Sequence, residues 1–165
     1  MVSKYKNKTI GSEVEVIDIA HEYVTFYVNN ILMGVDIQSV QEINRFMQFT
    51  DVPRSSDFVK GVINLRGQVI TVLDIKVILG LEQGVQDDNS RNLILNTNSE
   101  TIGLLIDNVS DVVSAKKSEI DNTPANVGSG NERFFQGIYK MSDKLLVILD
   151  VNELLNCDDT ITSIA

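Results

Sequence analysis

Cysteine, histidine and proline are nearly absent from this 165-residue chain, which has one cysteine, one histidine and two prolines. A single cysteine, Cys157, permits no intrachain disulfide and suits a reducing compartment. It sits beside Asp158 and Asp159, whose charge disfavours a reactive thiolate. The lone His21 has no cysteine nearby and no second histidine with which to build a catalytic pair. Positive charge is also scarce: 14 Lys and Arg stand against 23 Asp and Glu, a net charge of −9. A nucleic-acid binder needs the opposite balance to neutralise phosphates. No apolar run approaches the ~18 residues of a membrane-spanning helix. The basic stretch Met1 to Lys8 lacks the apolar centre of a signal peptide. Without secretion, the glycosylation patterns at Asn7 and Asn108 carry no meaning. Gly128-Ser129-Gly130 lacks the Lys-Ser or Lys-Thr of a phosphate loop, and Asp107 to Asp111 has Val109 where a calcium ligand belongs. The expectation is a cytoplasmic protein with no cofactor, no metal, no catalysis and no membrane insertion.

What the chain does have is apolar content, 43% against 22% charged, enough for a packed core. Residues 1–19 begin basic and turn acidic, and predict an arm with a first strand near Val14 to Ile19. Tyr23 to Val28 is a strand, Asn29-Asn30 a hairpin turn, and Ile31 to Ile37 the return strand. Ser39 followed by Glu42 has capping-box spacing and predicts a helical turn with Val40 and Ile43 on one face. Pro53 belongs at an edge or outside the sheet. Phe58 to Ile63 and Gln68 to Leu73 form a central hairpin around Asn64-Leu65-Arg66-Gly67. Asp74 then caps a short helix, Ile75 to Leu79, that Gly80 ends. Glu82 to Ser90 reads as a linker, and 157–165 as a polar tail.

The pattern then repeats. Gly103 to Val112 aligns without a gap on Gly34 to Ile43, Pro124 echoes Pro53, Phe135 to Ile138 echoes Val59 to Val62, and Leu145 to Val151 echoes Val69 to Ile75. The domain spans 20–156, with units 20–80 and 91–156. Short strands with regular turn signals predict an all-β fold of two small barrels, in which a strand can cross between barrels. Asp74 and Asp150 occupy equal places in both units, which favours helix caps over catalytic acids.

The units differ at one informative place. The first hairpin turn carries Arg66-Gly67, and its counterpart, Tyr139 to Lys144, does not. The fold therefore does not require Arg66. As the only charge between Lys60 and Asp74, it pairs inside the fold or meets a partner, and arginine is favoured at interface hot spots. Glu42 is open to two readings, half of the capping box or a solvent-facing carboxylate beside Val40.

The stretch Gly34-Val35-Asp36-Ile37, Val40-Gln41-Glu42-Ile43, Val52-Pro53 and Gly61 to Ile70, with Gly103 to Val112, Pro124 and Leu149-Asp150, resembles the CheW family of bacterial chemotaxis coupling proteins. Thr71 stands where that family often has proline, and Met33 where it often has an aromatic. The resemblance implies two SH3-like five-stranded barrels packed together with short helices. It implies a non-enzymatic adaptor joining methyl-accepting chemoreceptor tips to the regulatory domain of a CheA-type histidine kinase, and so associated with membrane arrays through its partners. It also implies Val40, Glu42 and Arg66 as receptor-binding residues, with Asn64, Leu65 and Gly67 forming the turn that supports the site. A CheV-like coupling module is the alternative, though 165 residues leave no room for its receiver domain.

Overall fold

The computed structural model describes residues 3–9, 12–45, 48–124 and 130–156, with 3–9 and 12–16 described by backbone alone. Cys157, the polar tail and Gly128-Ser129 lie outside the described residues. The N-terminal stretch is a hairpin, β1 (Ser3–Thr9) paired antiparallel with β2 (Ser12–Asp18) in a sheet of its own. The strand expected near Val14 thus begins earlier and has a partner that the sequence reading did not assign. Asp18 is buried and accepts hydrogen bonds from the backbone and hydroxyl of Ser118, which tie this hairpin to the rest of the chain.

The repeated units follow. In the first, β3 (Ala20–Val28) and β4 (Ile31–Asp36) flank Asn29 and Asn30, whose φ of 49° and 63° give the mirror-image turn that suits twisted strands. Next come β5 (Val40–Arg45), β6 (Val59–Leu65), β7 (Gln68–Asp74) and helix α1 (Ile75–Ile78). The second unit contains β8 (Arg91–Asn96), β9 (Thr101–Ile106), β10 (Asn108–Lys116), β11 (Ile120–Asp121), β12 (Phe135–Lys140), β13 (Leu145–Leu149) and α2 (Val151–Leu155). Asp74 and Asp150 are the helix caps, accepting from Lys76 N at 3.0 Å and Glu153 N at 3.2 Å.

The strands form a six-stranded sheet, β10-β3-β4-β13-β12-β11, and a five-stranded sheet, β5-β8-β9-β7-β6. Each sheet mixes the units. The β3–β4 hairpin of the first lies between β10 and β13 of the second, and β8–β9 lies between β5 and β7 in return. The joints β4–β13 and β7–β9 are parallel. Six flat strands would hold the sheet's edges ~24 Å apart. Yet β10 and β11, the two edges, are separated only by the short segment from Lys116 to Ile120, which spans at most ~14 Å. The sheet must therefore curl on itself. The same holds for the other sheet, where Thr50 pairs with Val62 on β6, a few residues after β5 ends at Arg45.

Burial follows this curling. Ile63, Ile70, Val72, Ile94 and Leu105 fill the five-stranded sheet, and Tyr23, Leu32, Ala115, Leu146 and Ile148 fill the six-stranded one. The largest cluster joins both sheets, with Phe26, Met33 and Val35 from one and Leu93, Leu95 and Leu104 from the other.

The helical turn expected at Val40 is not formed. Ile37–Ser39 is a single 3₁₀ turn capped by Asp36, and Val40 begins a strand. The misreading has a physical origin. Val40 pairs with Leu95 and Glu42 with Ile94, so β5 carries a bulge of one extra residue. The bulge places Val40 and Ile43, three apart, on one face, a spacing that otherwise marks a helix. The β-branched residues in this stretch suit the strand. Gly61 sits within β6 at a second bulge, with φ 146°. A Cβ there would lie 2.7 Å from the Thr50 carbonyl oxygen. Its counterpart Gly137 is pressed in the same way, with a Cβ 2.6 Å from the Asp121 carbonyl oxygen.

Candidate functional site

The β6–β7 hairpin closes through a two-residue turn, because Leu65 pairs with Gln68. Arg66 and Gly67 are its central residues, with φ of 52° and 85°. Both are left-handed, as a mirror-image turn requires. Gly67 accepts this freely, whereas Arg66 adopts it against its own steric preference. Asn64 steadies the turn, its Oδ1 accepting from Gly67 N at 2.9 Å. Leu65 packs beside the apolar filling of the five-stranded sheet. The supporting roles expected of Asn64, Leu65 and Gly67 thus have distinct physical bases.

Arg66 reaches across to Glu42. Its two terminal nitrogens donate to the two carboxylate oxygens, at 2.7 Å to Oε2 and 3.1 Å to Oε1. Such a fork is the strong geometry for guanidinium and carboxylate. The pair is lopsided in exposure: the Glu42 side chain is 18% exposed and that of Arg66 72%. Neither of the simple alternatives, a buried ion pair or an unpaired arginine, describes it. Glu42 also accepts from Asn44 Nδ2 at 2.7 Å. The Arg66 fork, and after it the Asn44 amide, hold the Glu42 carboxyl below its ordinary 4.5, with a smaller share from Gln41. Glu42 is therefore not half of a capping box with Ser39; both its oxygens are turned to side chains.

Val40 stands apart from this pair. It shares a face with Leu95 and packs against the core between the sheets, whereas Glu42 shares a face with Ile94. The bulge puts the two on opposite faces of β5. The Glu42–Arg66 fork is the polar feature around which the three expected residues are to be read.

Two features escaped the sequence reading. Lys76 on α1 pairs with Asp107 at 2.7 Å, and Asp107 also accepts from Asn29 N at 2.8 Å, which clasps the first hairpin to the second unit. The Lys76 side chain is only 11% exposed, and its pairing with Asp107 is structural. The other is Asn44. Extending the repeat alignment one residue past Ile43 sets it against Val113, a difference that would have marked it. Among the described residues no group of three His, Cys, Asp or Glu could hold a metal ion, and no helix is long and apolar enough to cross a membrane.

Comparison with known proteins agrees with this architecture. Residues 22–158 match the CheW-like domain. The chain is 31% identical to a chemotaxis protein CheW of Klebsiella aerogenes, over 96% of this chain and 90% of that one. It is 28% identical to a chemotaxis protein CheW of Helicobacter pylori, over 96% and 95%. The scaffolding protein TtCheW from Thermoanaerobacter tengcongensis superposes with a TM-score of 0.75 and 30% identity, over 81% of this chain and 86% of that one. With the family's domain matched across most of its length, the chain belongs to the CheW-like domain family, non-enzymatic scaffolding and coupling proteins of chemotaxis.

Proposed function

We propose that this protein couples the cytoplasmic tips of methyl-accepting chemoreceptors to a CheA-type histidine kinase, and that Arg66 with Glu42 is its receptor contact. The observation that carries the reading is the lopsided fork. Glu42 is mostly covered and fixes one edge of the guanidinium, while the rest of Arg66 stays open to solvent. A guanidinium held by one carboxylate still has donors to spare for carbonyls and carboxylates on a helical tip. Its rotamer is already chosen, so a partner has less side-chain entropy to remove. Val40 packs on the core-facing side of the same strand, where it seats β5. The kinase, through its regulatory domain, uses a separate surface. The place of action is the cytoplasm, at receptor arrays reached through partners.

The test is co-sedimentation with receptor-bearing membranes, with and without kinase. The proposal expects the protein to pellet with receptor alone, and kinase to pellet only when the protein is present. Kinase pelleting equally well without it would overturn the coupling role.

A further inference from the structure

We infer that Asn44 is a positioning residue for the Glu42–Arg66 site, fixing the carboxylate so that the guanidinium is presented in one orientation. This rests on the receptor-contact reading above. Asn44 lies two residues beyond Glu42 on β5, past the bulge, and is half-buried. Its amide donates to Glu42 Oε1, the same oxygen that takes the longer arm of the Arg66 fork. Without that third bond the carboxylate is free to rotate about its last torsion, and the guanidinium turns with it. With it, both oxygens have fixed partners and the fork has one plane.

The internal duplication supplies a control. Glu42, Asn44 and the residue opposite Asn44 in the ladder, Asn92 on β8, are all polar. The corresponding positions of the six-stranded sheet are Asp111, Val113 and Tyr23, and there Val113 and Tyr23 pair and pack into the apolar filling. The fold is therefore satisfied by a valine and an aromatic where the five-stranded sheet keeps two amides. Asn92 is fully buried, and among the described residues neither its amide nitrogen nor its amide oxygen has a hydrogen-bond partner. Such an amide is unfavourable compared with a packed apolar side chain. At these equivalent positions two amides face one another, across β5 and β8, only in the sheet whose hairpin carries the Arg-Gly turn. That coincidence points to the turn's function and not to the scaffold. Asn92 gives Asn44 a polar neighbour instead of an apolar wall, which leaves its amide able to swing toward Glu42.

The experiment compares Asn44→Val, which installs the second unit's residue, with Asn44→Gln, which keeps an amide donor. Three quantities are read: melting temperature, the carboxyl titration of Glu42 by carbon NMR, and co-sedimentation with receptor-bearing membranes. The inference expects Asn44→Val to melt within a few degrees of the parent. Glu42 should titrate closer to its ordinary value, and receptor binding should fall about fivefold, the scale of one ordinary hydrogen bond, because Asn44 acts on the contact only through Glu42. Asn44→Gln should recover most of both. An unchanged Glu42 titration in Asn44→Val would overturn the inference, as would a large fall in melting temperature, which would make Asn44 a structural residue. A shifted titration with undiminished binding would also overturn it, provided that Arg66→Ala abolishes binding. If Arg66→Ala binds normally, the receptor-contact reading fails, and the titration alone still decides whether Asn44 holds Glu42.

Discussion

Glu42 and Arg66 join the two edges of one curled sheet. Glu42 lies on the edge strand β5, Arg66 at the tip of the hairpin that contains the other edge strand, β6, and the fork between them spans 24 residues of chain. The pair can act in two ways, as a clasp on the sheet and as a charged group shown to a partner. Because Arg66 is mostly exposed and its backbone is held at positive φ, the second role explains more than the first. An ion pair whose arginine is open to solvent adds little to stability, and that small gain is set against the positive φ that Arg66 holds.

Replacing Arg66 by glycine separates the two. Glycine accepts a φ of 52° without strain, which offsets the loss of the fork. The expected outcome is a melting temperature within a few degrees of the parent and receptor binding weakened more than tenfold, as for an arginine anchor. Thermal melting and co-sedimentation on one sample check both halves.

The strand exchange predicts how the chain behaves when cut. Each sheet contains a hairpin from the other unit, so neither unit can complete a sheet alone. Fragments separated in the loop at Gly84 should each be largely unfolded and should regain β-structure on mixing, which circular dichroism follows. A half that folds alone with a sharp melting transition would contradict the exchange.

Gly61 and Gly137 sit where backbone approaches backbone. Gly61→Ala meets the Thr50 carbonyl at 2.7 Å and also carries φ 146°. Gly137→Ala meets the Asp121 carbonyl at 2.6 Å. Each should destabilise by ~2 kcal/mol or more, the cost of overpacking against atoms that cannot swing aside. Urea unfolding measures this.

Tyr23 gives the alkaline limb of stability. Burial, and secondarily the nearby Asp36 charge, raise its hydroxyl above the ordinary 10.0. The folded state therefore keeps its proton where the unfolded chain loses it. Its contribution is complete below 10.0 and is lost as pH climbs from there through the raised value. Urea titrations across that range should show a fall in stability that Tyr23→Phe lessens.

Much of this was legible in the chain. The duplication, the two aspartate caps and both hairpin turns rest on local chemistry, namely strand-forming runs, Asn-Asn and Arg-Gly turns, and capping side chains. The strand at Val40 was not, because a bulge turns the period of two into an apparent period of three. Nor was β1, where Lys4, Lys6 and Lys8 leave no apolar alternation to read. The exchange of hairpins between sheets depends on pairings distant in sequence, and alignment of the repeats shows equivalence without showing which copy pairs with which. At the site, the resemblance named Val40, Glu42 and Arg66 together, but the chain could not show the fork between the last two or the bulge that sets Val40 on the opposite face of β5.

The most direct test of the central claim is the charge exchange Glu42→Arg with Arg66→Glu, measured beside both single variants for melting, kinase binding and receptor co-sedimentation. If the guanidinium at position 66 is what the receptor meets, the exchange restores any melting lost in the single variants and keeps kinase binding, but receptor binding stays lost. If the exchanged protein binds receptor as well as the parent, the pair is only a clasp on the sheet, and the receptor contact lies elsewhere.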